Sequence, residues 1–184
     1  MTRILEAKIV LERLPLSRKS VQALRMLPRY DIIAFTSKNA RKFFEQELHR
    51  RHIASPKSGQ IVTVGPRNEL LKLHVRDKRI LFPRSALAPH DIVRRMRARG
   101  AIVRPLSLYT AHGVPLSLAQ KKSLLTGKIR QLYFKSPSGI DGLLRQFRDA
   151  DRNIVLALSA LCIGKTTAQA ARKAGFKHVS IKNV

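Results

Sequence analysis

The sequence predicts an α/β protein of two parallel-sheet lobes, one inserted into the other. Three observations lead there. A strand–turn–helix pattern is written twice at a constant offset. Strands alternate with helices between the two copies, as parallel sheets with right-handed crossovers require. Two similar proline-containing segments stand where the chain would pass from one lobe to the other.

The repeat begins with Asp31 to Ser37, D-I-I-A-F-T-S, and Arg130 to Ser136, R-Q-L-Y-F-K-S. Each is an apolar run followed by small polar residues and an amphipathic stretch with helical periodicity, over 38–49 and 137–147. A second strand ending in glycine follows in both copies, at 61–65 and 161–164, and then helices over 68–73 and 166–174. Phe35 lies 30 residues before Gly65 and Phe134 lies 30 before Gly164, so the offset between the copies is 99 throughout. Between them a strand is expected over 79–82, a helix over 89–99 ended by Gly100, and a strand over 101–103 leading into Pro105. The chain should open with a strand over 8–14. The segments R-L-P-L-S at Arg13 and R-P-L-S-L at Arg104 read as paired linkers, near 13–18 and 104–110. Lobe one is then 1–16 plus 109–184, and lobe two is the insertion 17–108.

Composition bounds the function. With 44% hydrophobic residues in 184, the chain can build a core. Ten aromatic residues (Phe 7, Tyr 3, Trp 0) do not suit a surface built to stack nucleobases. Lys+Arg 37 against Asp+Glu 11 gives +26, a field that attracts polyanions: RNA, DNA, an anionic membrane surface or a polycarboxylate. One cysteine, Cys162, forms no internal disulfide and fits a reducing compartment. Inside the apolar run 154–163 it reads as a small buried hydrophobe. The first 19 residues contain Glu6 and Glu12 and no long apolar stretch, so they do not read as a targeting peptide, and no segment suits a membrane span. A cytoplasmic or organellar-matrix protein is expected.

Four helix starts follow strand ends: Ser37-Lys38-Asn39, Gly65-Pro66-Arg67-Asn68, Ser136-Pro137-Ser138-Gly139 and Gly164-Lys165-Thr166-Thr167. Such turns lie at the carboxyl edge of a parallel sheet, where free backbone N–H groups, the helix dipole and hydroxyls hold carboxylates or phosphates. Taken singly, each is also explained by N-capping. Gly164-Lys165-Thr166 is not a P-loop, because Ser159 stands where that motif needs glycine. His49 and His52 have no cysteine or carboxylate cluster to complete a metal site. Neither a nucleophile elbow nor a dinucleotide fingerprint is present. Arg94, Arg95, Arg97 and Arg99 crowd one helix, as a solvated face or an anion patch.

In order and spacing, the motifs resemble those of uroporphyrinogen-III synthases. The carriers are F-T-S-K-N-A from Phe35, V-G-P from Val64, I-L-F-P-R-S from Ile80, G-A at Gly100 leading to L-Y-T at Leu108, F-K-S-P-S-G from Phe134 and C-I-G-K-T-T-A from Cys162. The resemblance covers about 7–176. It implies two flavodoxin-like lobes joined by a two-stranded linker, and a lyase that closes hydroxymethylbilane, a linear tetrapyrrole polycarboxylate, through loss of water and a spiro intermediate that inverts the last ring. No cofactor is implied, and an enzyme of this kind would be a monomer. Tyr109 matches a tyrosine proposed to assist departure of the hydroxyl. Thr36, Ser37, Asn39, Gly65, Asn68, Arg84, Ser136, Ser138, Gly139, Gly164, Thr166 and Thr167 match substrate-binding positions. Lys135 and Asn68 stand where the family commonly has threonine, and both lobes read as trimmed: the family's first strand and helix and its last helix are expected to be missing. A catalytically degenerate copy, binding RNA through its Lys/Arg surface or serving as a ribosome-associated component, is the alternative.

Overall fold

The computed structural model describes residues 3–57, 60–63 and 74–182. The chain divides into two compact units, Met1–Leu11 with Ala111–Val184, and Glu12–Thr110.

The first unit holds a four-stranded sheet of order β1-β7-β8-β9. Its strands are β1 (Ile4–Glu6), β7 (Gln131–Phe134), β8 (Ser159–Cys162) and β9 (His178–Ile181), and every pairing is parallel. Around it run α4 (Leu118–Leu125), α5 (Pro137–Leu144), α6 (Asp149–Leu156) and α7 (Lys165–Ala174). Leu132, Phe134, Leu143, Val155, Ala160 and Cys162 meet in its core. The buried, free Cys162 is the small hydrophobe its surroundings suggest.

The second unit holds a five-stranded sheet of order β2-β6-β5-β3-β4: β2 (Ile9–Arg13), β6 (Ile102–Gly113), β5 (Arg79–Ser85), β3 (Ile32–Phe35) and β4 (Ile61–Thr63). β3 pairs parallel with both β4 and β5, and β5 parallel with β6. Among the described residues its α-helices are α1 (Arg18–Arg25), α2 (Lys38–Arg50) and α3 (Asp91–Ala98). Ala34, Ile80, Phe82, Val93, Met96 and Val103 pack together, and Phe35 meets Phe44 edge-on at 5.3 Å. β2 and β6 both continue from one unit into the other. Leu14 N donates to Leu108 O at one end and Val114 N to Lys8 O at the other, so the pair is antiparallel.

Several boundaries differ from expectation. The chain opens with β1 at Ile4–Glu6, an edge strand beside β7, before the expected first strand, which is β2. The stretch 137–147 is not one helix. α5 stops at Leu144, and Arg148 in extended conformation starts α6, whose first turn carries Asp149 and Asp151 where the helix dipole favours them. The apolar run 154–163 is accordingly shared between α6 and β8. The strand expected over 79–82 continues to Ser85, through Pro83. The pairing of β5 with β3 ends at Leu81, so Pro83 sits where β5 has β6 alone beside it, a place proline tolerates. The strand expected over 101–103 runs on through Pro105 to Gly113, because β2 joins β6 only from Leu108 onward. The residues read as the second linker, 104–110, therefore lie inside a strand. The helix expected over 68–73 lies outside the described residues.

Candidate functional site

At the carboxyl end of β3 the chain turns through Thr36 into α2. Ser37 is the N-cap in extended conformation, and its Oγ accepts from Ala40 N at 3.0 Å. The same Oγ lies 3.3 Å from Tyr109 Oη. Tyr109 reaches it from β6 through an irregularity in the ladder: Arg84 pairs with Ser107, but Ser85 pairs with Tyr109, so Leu108 is an extra residue. Such a bulge re-aims a side chain. Here it lets the successive residues Leu108 and Tyr109 both face inward, at 0% and 6% exposure. The Tyr109 ring stacks on Phe43 of α2, centroids 4.6 Å apart and planes 10° from parallel. Thr36 is partly exposed and Asn39 exposed beside this pair.

Arg84 is 3% exposed and turned into the unit. Its Nε donates to Ser85 O at 3.2 Å and its guanidinium lies 3.5 Å from His90 Nδ1. These contacts hold the end of β5 against the start of α3 and leave Arg84 little surface to offer a ligand.

In the first unit β7, β8 and β9 end side by side. Ile163 N donates to Phe134 O at 3.0 Å and Lys182 N to Cys162 O at 2.8 Å. Ser136 caps α5, its Oγ accepting from Gly139 N at 3.2 Å, while Gly164 caps α7 with no side chain to accept. The first N–H groups of α7 are therefore more open to an outside acceptor than those of α5. Ser138 is partly exposed and Thr166 exposed, whereas Thr167 is 4% exposed and packs inward. Gly139 is buried: a Cβ there would stand 3.1 Å from Ala7 O, so this glycine serves a close backbone approach. Gly65 and Asn68 lie outside the described residues.

The same edge carries a cationic group that motif reading passed over. Lys135 Nζ and Lys182 Nζ lie 5.8 and 5.7 Å from the centroid of the Tyr133 ring, and Lys135 also pairs with Glu6 at 3.0 Å. With Lys165 opening α7, three ammonium groups border the turns. The signal was the lysine in F-K-S at Lys135; Lys182 joins it only through the position of β9. Among the described residues no cluster of His, Cys, Asp and Glu is arranged to hold a metal, and no helix is long and apolar enough to cross a membrane.

The described geometry is thus two sets of parallel strand ends with capped helix starts, a tyrosine–serine hydroxyl pair in one unit and lysines in the other. Solved structures share the fold. A mutant uroporphyrinogen III synthase of Thermus thermophilus aligns over 100% of this chain and 93% of its own, at TM-score 0.72 and 18% identity. Uroporphyrinogen-III synthetase of Helicobacter pylori aligns over 97% and 92%, at TM-score 0.61 and 18% identity. A curated relative, the porphyrin biosynthesis protein HemD of Ruminiclostridium josui, is 29% identical over 104 residues, which are 56% of this chain and 20% of that protein. The chain thus matches about a fifth of the length of that curated relative. The family model described as uroporphyrinogen-III synthase HemD matches residues 67–183. With that match over more than half its length, the chain belongs to the uroporphyrinogen-III synthase family.

Proposed function

We propose that the chain is an active uroporphyrinogen-III synthase, a lyase that closes hydroxymethylbilane with inversion of the last pyrrole ring. The observation that carries this reading is the Ser37–Tyr109 hydroxyl pair at the carboxyl edge of the second unit's sheet. Ser37 Oγ already accepts from Ala40 N, so its own O–H is free to donate to Tyr109 Oη. In that arrangement the phenol proton is not spent on Ser37 and can be given to a bound substrate. The Phe43 stack holds the ring in one orientation.

The chemistry asks for little more than positioning and one proton. The substrate's terminal hydroxymethyl C–O bond breaks, the phenol proton passes to the departing oxygen, and water leaves. The resulting cationic pyrrole end is attacked within the same molecule, and the proton lost as the ring closes restores the phenol. Bringing the two ends of a flexible chain together supplies most of the rate, because an intramolecular encounter replaces an unfavourable search. Carboxylates of the substrate would be held beside this hydroxyl pair by Thr36 and Asn39. No cofactor enters this reading, and the enzyme acts as a monomer. Its test is genetic: the chain should restore growth without added haem to a bacterium lacking its own synthase, and a Tyr109→Phe chain should do so more slowly. Failure of a well-expressed, folded chain to restore growth would count against it.

A further inference from the structure

The second unit also carries a basic surface at the opposite end of its sheet. Arg79 opens β5, and Arg29 lies just before β3. Arg76 and Lys78 lead into β5, while Arg99 follows α3 and precedes β6. Arg104 lies two residues into β6, and its guanidinium is anchored on Lys19 O at 3.1 Å. All six are exposed.

The backbone holds this group together. Asp77 N donates to Gly100 O, Ile102 N to Lys78 O, and Asp31 N to Arg79 O, each at 2.9 Å. Gly100 is left-handed, with φ 84°, and a Cβ on it would meet Arg76 Cγ at 3.1 Å, so the two turns are packed closely. Two acids sit among the six cations. Asp31 Oδ2 accepts from Arg79 N at 2.7 Å, and Asp77 Oδ2 lies 3.9 Å from Arg76 Nε. The surface keeps a clear positive excess.

These cations cannot serve the ligand of the helix-start turns. β5 is seven residues long, so its two ends are about 20 Å apart. That exceeds the reach of any arginine. Nor is the surface needed for solubility in a chain of net charge +26. Five of the six cations are arginines, whose planar forks suit phosphate oxygens. A membrane-docking surface would add several protruding apolar side chains. Among the described residues, Ile102 is the one large exposed apolar side chain at these strand starts.

We propose that this amino edge of the second unit's sheet binds the phosphate backbone of RNA, independently of sequence and of the synthase reaction. The probe is a fluorescent single-stranded RNA of about 20 nucleotides, titrated with the whole chain at several salt concentrations. Each neutralised phosphate contributes about −0.7 to the slope of log affinity against log salt. Replacing Arg76, Arg79 and Arg99 with Gln should flatten the slope by about 2, equivalent to about 100-fold in affinity near 0.1 M salt. The control variant, with Lys122, Lys128 and Lys177 changed to Gln, removes equal charge from exposed sites of the first unit and should lose no more than a few-fold. Equal losses in the two variants would show a diffuse attraction and overturn the proposal, as would absence of binding at low salt. Tighter capture of phosphatidylserine vesicles than of RNA, lost in the arginine variant, would assign the surface to a membrane and overturn it too. In the unsubstituted protein, RNA should protect Lys78 but not Lys122 from acylation; an unprotected Lys78 contradicts the assignment without relying on a variant's folding.

Discussion

Replacing Gly142 with alanine should destabilise the protein, against the ordinary rule for a helix. Gly142 lies in α5, where alanine in place of glycine normally gains about 0.8–1.0 kcal/mol. Here α5 crosses the end of β6 at Gly113. A Cβ on Gly142 would stand 2.5 Å from Gly113 Cα and 2.6 Å from its N, and one on Gly113 would stand 2.5 Å from the carbonyl carbon and oxygen of Gly142. Both neighbours are backbone, so no side chain can swing aside and the two segments must separate. Overpacking of this kind costs about 1–3 kcal/mol, and backbone contacts this short belong at the upper end. Less the helix gain, the net loss is about 1–2 kcal/mol. For a chain of this size each kcal/mol lowers Tm by about 2–4 °C, so a fall of about 2–8 °C is expected. Thermal unfolding followed by circular dichroism, with Gly113→Ala beside it, measures this directly. Both variants should melt lower. A Gly142→Ala protein melting above the parent would refute the close crossing of α5 and β6.

Three further outcomes are expected. Glu47 is fully buried on α2, where its carboxylate meets Arg13 at 3.0 Å, Arg51 at 2.9 Å and Arg50 at 3.5 Å. Glu47→Gln should cost about 2–3 kcal/mol in urea unfolding, below the 3–5 for a fully buried pair because the arginines are 32–52% exposed; an unchanged midpoint would contradict the role. Tyr109→Phe keeps the ring on Phe43 but removes the phenol, so synthase turnover should fall about 10-fold at unchanged Tm, less than the 10²–10⁴ of a sole general acid because Ser37 or water can take its place. Burial pushes the Cys162 thiol up, with Arg172 pulling it partly back. Since the folded state then holds its proton more tightly, Cys162 contributes stability that is full below the ordinary thiol value of about 8.5 and is lost as pH rises through the higher folded value. Stability should therefore fall more between pH 8.5 and 10 in the parent than in Cys162→Ala, and equal losses would remove Cys162 from that effect.

The strand ends and helix starts were legible because a few local signals specify them. Asp31–Ser37 and Arg130–Ser136 pair an apolar run with a serine N-cap, and both serines do cap, accepting from Ala40 N and Gly139 N. What was not legible depends on distant partners. The length of β6 rests on where β2 joins it, and its prolines reveal nothing of that. The meeting of Tyr109 with Ser37 spans 72 residues and needs the bulge at Leu108. Thr166 and Thr167 look interchangeable in sequence, and only the helix phase turns Thr167 into the core. The resemblance sets Arg84 among the substrate-binding positions, whereas β5 carries it inward to Ser85 O and His90. The arginines at the amino edge are scattered from Arg29 to Arg104, and the order of the strands alone assembles them.

The synthase reading is tested most directly by the isomer it produces. Purified chain mixed with freshly generated hydroxymethylbilane, followed by oxidation and separation of the macrocycles, should yield the III isomer in excess of the I isomer that forms spontaneously, and faster as chain is added. Product that remains the I isomer at the rate of a protein-free control, with the chain folded, would contradict it.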